Sequence, residues 1–330
     1  MTKILCIGNA LVDHIVRIDD DMLENFGLPK GSMTLVDQAR SRQLRQALKD
    51  LPASMASGGS AANTARGLAS LGIECGFLGA VGDDDTGQFF YTDLENAGVT
   101  GHILEGTVDS GVALTLLSPD SERTFATYLG SALELSAADI ESELISGYDL
   151  VHIEGYLVQD HELFETILDV AADEGLMISV DLSSYNVVEE HRAFLRNVLP
   201  GNVDILFANE QEAAVFTGET DPSKAIRKMN GEFWQIVVKT GAKGCLVSEF
   251  EKTWTLPAKP AEVIDTNGAG DLFAAGYLAG WAFGRSPEEC ALLGTHCAAR
   301  VIEVTGTSLT GDTWKEIKSQ NAEILKHKMI

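Results

Sequence analysis

The chain has 330 residues, 45% of them hydrophobic and 22% charged, with a formal net charge of −25. The first two figures are those of an ordinary globular enzyme, whereas the charge describes a strongly acidic, solubilising surface. Such a surface repels nucleic acid and anionic lipid, so neither is expected as a partner, and an anionic substrate would need its own local positive features. The five cysteines, Cys6, Cys75, Cys245, Cys290 and Cys297, form no CxxC pair or metal-ligand cluster, and their odd number and wide spacing read as reduced thiols. Met-Thr-Lys runs straight into Ile4–Ile7, too short for a signal-peptide core, and the longest apolar stretch, Leu272–Phe283, is too short to cross a bilayer. The expectation is a cytoplasmic, soluble protein.

Along the chain, strand-like runs at Lys3–Ile7, Cys75–Val81, Leu150–Ile153, Met177–Asp181, Asp204–Ala208 and Ile236–Lys239 alternate with helical patterns. In Ser60–Leu71, Ala61, Ala65, Leu68 and Leu71 recur at helical spacing and Gly72 supplies the stop. Ser286-Pro-Glu-Glu289 opens another helix with an N-cap, a proline at the first helical position and a capping-box glutamate. This alternation predicts an α/β fold with a doubly wound, mostly parallel sheet. Two segments break the rhythm: the acidic, turn-rich 13–37, and 101–128, where Val112–Leu117 and Thr124–Tyr128 flank a turn at Ser118-Pro119-Asp120. They are expected to form a small β lid (13–37 and 101–128) inserted in a large α/β domain (1–12, 38–100 and 129–330), since loops of this length usually carry function.

The most informative segment is Asp265-Thr-Asn-Gly-Ala-Gly-Asp271, which opens into the apolar run Leu272–Phe283. That run is apolar on all sides and reads as a buried helix. Gly268, Ala269 and Gly270 then lie at a helix N-terminus, where small residues expose backbone N–H groups to an anion and the helix dipole adds positive charge. Asp271 falls in the first turn, expected to be held ionised by the dipole and placed to accept a proton from an attacking hydroxyl. Neither a Walker A pattern nor a GxGxxG after Ile7 is present, which removes the P-loop and dinucleotide fingerprints.

This segment resembles the C-terminal signature of the ribokinase-like (phosphofructokinase-B) kinases. Gly58-Gly-Ser-Ala-Ala-Asn63 resembles their N-terminal signature, Asn209-Glu-Gln-Glu212 their Asn-x-x-Glu motif, and Lys239-Thr-Gly-Ala-Lys-Gly244 their nucleotide-binding strand-turn. All four stand in family order over essentially the whole chain. Gly8-Asn-Ala-Leu-Val-Asp13, Val203–Asn209 and Ala298–Gly306 look most like adenosine kinases. The resemblance implies transfer of the γ-phosphoryl group of ATP, with Mg²⁺, to a hydroxyl of a nucleoside, adenosine first, or of a ribose- or fructose-type sugar. A catalytically silent sugar- or nucleoside-binding protein on the same fold is the alternative from another class, against which the intact Asp271 and Gly268–Gly270 argue.

Residue by residue, the resemblance assigns Asp271 as base and Gly268, Ala269 and Gly270 as the anion hole. Asn9, Asp13, Gly58, Gly59 and Asn63 become the substrate floor, with Asp13 gripping vicinal hydroxyls. Asn209, Thr240, Gly241 and Gly244 fall to the nucleotide. Glu212 organises Mg²⁺ through water, and Arg123, in Ser121-Glu-Arg-Thr124, approaches the transferred phosphate from the lid. A monovalent cation near Asp265 occurs in relatives. Leu157, with Tyr156 beside it, matches a position where adenosine kinases often stack an aromatic on the base, and Tyr185 or Asn186 matches a second.

Overall fold

The computed structural model describes residues 2–120 and 122–326. Fourteen strands, β1 (Lys3–Ile7), β2 (Leu11–Arg17), β3 (Met33–Leu35), β4 (Ala53–Gly58), β5 (Glu74–Gly82), β6 (Thr100–Gly106), β7 (Gly111–Leu117), β8 (Arg123–Tyr128), β9 (Leu150–Glu154), β10 (Met177–Asp181), β11 (Ile205–Asn209), β12 (Gln235–Lys239), β13 (Cys245–Glu249) and β14 (Lys252–Leu256), form two sheets. The larger has the order β14-β13-β12-β11-β10-β9-β1-β5-β6. From β6 to β12 all neighbours are parallel, and β13 and β14 continue from β12 as an antiparallel meander. This is the doubly wound architecture that the alternating strands and helices predict.

Strands buried on both faces read as unbroken apolar runs, and their period of two sends alternate residues to opposite layers. Ile4, Cys6, Phe77, Leu150, Phe207 and Val237 pack with the helices Ser60–Leu71, Ala269–Ala282 and Pro287–Val301. Leu5, Ile7, Leu78, Val151, Val180 and Leu206 pack on the other side with His161–Asp173, Glu210–Thr217 and Pro222–Met229.

The smaller sheet has the order β3-β8-β7-β2-β4. One face buries Val16, Val112, Leu114, Leu116 and Ala126 against Leu23 of the helix Asp20–Asn25 and Leu44 and Leu48 of the helix Gln38–Leu48. The pairings move the expected domain limits at two points. β4, whose small polar residues give little strand signal, pairs antiparallel with β2, and the preceding helix packs on the same sheet, so 38–58 goes with the smaller sheet. β6 pairs parallel with β5 after a helical crossover, Asp85–Asn96, so 100–106 goes with the larger one.

The helix Ala269–Ala282 is the packing centre on one face, with every residue from Leu272 to Gly280 buried. Glycines let it approach its neighbours backbone to backbone. A Cβ on Gly276 would lie 2.8 Å from Gly294 Cα and the Leu293 carbonyl oxygen, and a Cβ on Gly294 would lie 2.8 Å from the Phe273 carbonyl oxygen. There is no flexible side chain there to give way. Gly294→Val is therefore expected to destabilise the fold by about 1–3 kcal/mol through overpacking. A lower urea midpoint at unchanged m-value would show it; a midpoint equal to the parent's would mean that the two helices separate freely.

Candidate active site

The carboxyl ends of the central parallel strands each deliver a polar group: Gly8 and Asn9 after β1, Glu154 at the end of β9, Asp181 of β10, Asn209 of β11 and Lys239 of β12. Open α/β sheets place ligands at this edge. Facing them are the N-termini of the helices Ser60–Leu71 and Ala269–Ala282 and one face of the smaller sheet.

Gly268 caps the helix Ala269–Ala282 in the left-handed region, φ 71°, which glycine adopts without strain. Asp271, in the first turn, accepts hydrogen bonds from Ser60 Oγ and Asn63 Nδ2, both at 2.9 Å. Asn63 Oδ1 in turn accepts from Thr307 Oγ1 at 2.9 Å. Asn63, expected on the substrate floor, therefore also orients Asp271. The expectation that the dipole governs Asp271 is corrected by its surroundings. Burial raises its pKa to about 6, opposed by the bonds from Asn63 and Ser60; Asp181 pushes it further up and Lys239 down. At neutral pH it remains mainly ionised, but as a stronger base than a solvated aspartate.

Asp13, on β2, enters from the smaller sheet. Its carboxyl lies against Gly58, where a Cβ would come 2.5 Å from Asp13 Cγ. Burial raises its pKa to about 7; Asp271 adds to the rise, and Arg66 and Arg123 oppose it. Among the described residues no donor is hydrogen-bonded to this carboxyl. Gly59 has φ 92°, and a Cβ there would collide with the Asn9 carbonyl oxygen, so only glycine brings β4 into the helix beside the loop after β1.

Glu154 escaped the sequence reading. It is 1% exposed and accepts from Asn9 N at 2.8 Å, Asn9 Nδ2 at 2.6 Å and Ala61 N at 3.0 Å, with its pKa raised to about 7 by burial against those bonds. It ties the loop after β1 to the helix that carries Ser60 and Asn63, and it engages the side-chain amide of Asn9. Its signal was a carboxylate directly after the apolar run Leu150–Ile153, at the ligand-bearing end of a strand. Asp181 gave the same signal and pairs with Lys239, Nζ to Oδ2 2.6 Å.

Asn209 and Glu212 form a reciprocal capping box. Glu212 Oε2 accepts from Asn209 N at 2.7 Å and its Oε1 from Asn209 Nδ2 at 2.6 Å, while Asn209 Oδ1 accepts from Gln211 N and Glu212 N. Glu212 is buried, and desolvation followed by Asp181 raises its pKa to about 7. In the turn after β12, Thr240 Oγ1 donates to the Gly244 carbonyl at 2.9 Å, and Gly241 and Gly244 have φ 55° and 100°.

Arg123 reaches across from β8 to Asp265, Nη2 to Oδ2 2.5 Å, with Arg123 Nη1 buried and unpartnered. Asp265 Oδ2 also accepts from Gly306 N at 2.7 Å, and its Oδ1 from Asn267 N. The arginine thus holds the loop that leads into Gly268 and joins the smaller sheet to the larger part. Leu157 is 5% exposed and belongs to a core cluster with Val158. Tyr185 is exposed at the start of a short helix, Tyr185–Glu190.

The chain matches the pfkB family carbohydrate kinase domain over residues 41–314. Among solved structures it is similar to the adenosine kinase of Sinorhizobium meliloti, at 34% identity and TM-score 0.86, covering 97% of this chain and 99% of that one. It is equally similar to a probable sugar kinase of Rhizobium etli CFN 42, at 32% identity and TM-score 0.87, covering 98% and 100%. A curated relative, the ATP-dependent ribose-1-phosphate kinase of Halopiger xanaduensis, is 29% identical over 85% of each chain. The fold, the helix-N-terminal Gly-Ala-Gly-Asp segment and these likenesses agree: the chain belongs to the pfkB family of carbohydrate kinases and is a phosphotransferase acting on an alcohol group.

Proposed function

We propose that this kinase transfers the γ-phosphoryl group of ATP to a hydroxyl of a nucleoside, with adenosine as its first acceptor. The observation that carries this reading is Asp13, a part-buried carboxyl that accepts no hydrogen bond among the described residues, beside Asp271 at the start of the helix Ala269–Ala282. Two vicinal hydroxyls would supply the missing donors. Register puts Ile15, Phe125, Met33 and Leu35 on the same face of the smaller sheet as Asp13. Met33 and Leu35 are 60% and 59% exposed, an apolar surface that suits a nucleobase better than water or a free sugar. The likeness to an adenosine kinase supports the same choice. A free sugar or sugar phosphate is the second reading, supported by the ribose-1-phosphate kinase relative.

In the reaction, the acceptor oxygen forms a bond to the γ-phosphorus as its proton passes to Asp271. The bond from that phosphorus to the bridging oxygen breaks, and its electron pair leaves with ADP. The amides of Gly268 and Gly270 face the charge carried by the transferred group, while Ala269 N donates to the Thr266 carbonyl at 3.3 Å. Asn209 and the Thr240–Gly244 turn hold the nucleotide, and Arg123 adds positive charge from the smaller sheet. Magnesium, bound with the nucleotide, would neutralise phosphate charge. Glu212 fits it through water, since both its oxygens already accept from Asn209 and no three His, Cys, Asp or Glu converge as a metal cage among the described residues. At Asp265, near which the resemblance implies a monovalent cation, Arg123 supplies a positive charge.

Three outcomes test this account. ADP release measured across adenosine, other nucleosides, ribose, ribose-1-phosphate and hexoses should be fastest with adenosine; turnover with a sugar and none with adenosine would replace the acceptor and leave the phosphoryl chemistry standing. Asp271→Asn should lower kcat by roughly 10²–10⁴ with acceptor binding largely kept; a kcat within a few-fold of the parent's would remove Asp271 as base. Third, kcat/KM should fall as pH drops through about 6, because the protonated carboxyl accepts no proton. Ser60→Ala removes a bond that favours the charged form, so that acid limb should move to higher pH. A limb that stays in place or moves down contradicts the assignment.

A further inference from the structure

Lys239 is a buried cation to which the functional reading gives no task. It ends β12, its side chain is 15% exposed, and among the described residues its one hydrogen-bond partner is Asp181, at 2.6 Å. An ammonium has three donors, so two remain. Its position is set by glycine: a Cβ on Gly270 would lie 3.2 Å from Lys239 Nζ, so the ammonium occupies the space that a side chain would fill at the mouth of the helix Ala269–Ala282. That is the helix N-terminus that Gly268 caps. Glu212 and Asp271 act on the same ammonium from two further elements; with Asp181 they more than offset the effect of burial and raise its pKa, so it is charged. A lysine needed only to tie β10 to β12 would not have to reach this mouth.

We propose that Lys239 is a further catalytic residue, a mobile cation that exchanges part of its contact with Asp181 for an oxygen of the transferred phosphoryl group as that group moves between donor and acceptor. It gives up and takes no proton; bonds form and break as described above, and the ammonium supplies charge-assisted hydrogen bonds to the equatorial oxygens. Charge stabilisation of this kind acts on the transition state more than on bound ATP. Asp181 is then the parking place of the cation, which keeps it from neutralising Asp271 outright before the anion arrives. The proposal rests on phosphoryl transfer from ATP and is independent of which acceptor is used.

The test compares Lys239→Met, Lys239→Arg and the double variant Asp181→Asn/Lys239→Met with the parent, using ADP and Mg²⁺ with and without aluminium fluoride as a mimic of the transferring group. Lys239→Met should bind ADP within about threefold of the parent but lose at least roughly tenfold of the tightening that fluoroaluminate gives, and its kcat should fall roughly 10²–10³-fold with little change in KM for ATP. Lys239→Arg, which keeps the charge, should recover most of the tightening. Removing one member of a buried pair also strains the fold, so the double variant, with the pair neutralised, should regain thermal stability without regaining kcat or the fluoroaluminate effect. Equal fluoroaluminate tightening in Lys239→Met and the parent, or recovery of kcat in the double variant, would reduce Lys239 to a structural tie. Because the binding measurement contains no acceptor, an error over adenosine would leave this outcome unaffected.

Discussion

Charge balance at the carboxyl edge of the larger sheet constrains everything around it. Asp13, Glu154, Asp181, Glu212, Asp265 and Asp271 are brought there, and the cations that meet them are Lys239, Arg123 and, from further off, Arg66. Removing a carboxylate from water is costly unless it gains donors or a counter-charge. Glu154 and Asp265 gain donors, Asp181 gains a lysine, and Asp13 gains neither in full. Burial is the largest cause of the raised pKa values of Asp13, Glu154, Glu212 and Asp271, and the hydrogen bonds and counter-charges present offset it only in part.

The parts of the fold that could be read from the residues are those where one local rule decides. Strands buried on both faces appear as apolar runs, and the helix Ala269–Ala282 appears because no polar stripe interrupts Leu272–Phe283. β4 escaped because Ala53-Ser-Met-Ala-Ser-Gly58 has little intrinsic preference for a strand and becomes one only by completing the edge of β2. The Gly-Ala-Gly-Asp segment was legible because helix start, small residues and carboxylate are contiguous. Glu154 was not, because its meaning depends on the Asn9 and Ala61 amides, far from it in the chain. The same distance effect hides Asp181, and it hides the packing of Leu157 into a core cluster.

The smaller sheet is more than a cover. Its β2 carries Asp13, its β8 carries Arg123, and its β4 runs through Gly58 and Gly59 directly into the helix that holds Ser60 and Asn63. Ile15 also approaches Gly306, whose amide binds Asp265. Asp13 and Arg123 thus both come from one small β-structure whose other face has its own apolar core. A change in how that sheet sits would move Asp13 relative to Asp271 and Arg123 relative to Asp265 together.

β1 lies between β5 and β9 in the larger sheet, and its register with β9 joins Ile4 to Leu150. During synthesis, β1, β5 and β6 can associate as soon as residue 106 is free, together with much of the smaller sheet once residue 128 follows. The opposite edge of β1, made of Ile4, Leu5, Cys6 and Ile7, has no native neighbour until Leu150–Glu154 has emerged. At about 5–20 residues per second, the stretch from β6 to β9 takes seconds to produce. For that interval the emerging chain presents an apolar strand edge of the type that templates mispairing with other chains. The order of strands that creates a ligand crevice at the middle of the sheet therefore also sets the moment at which this protein most depends on being shielded while it is made.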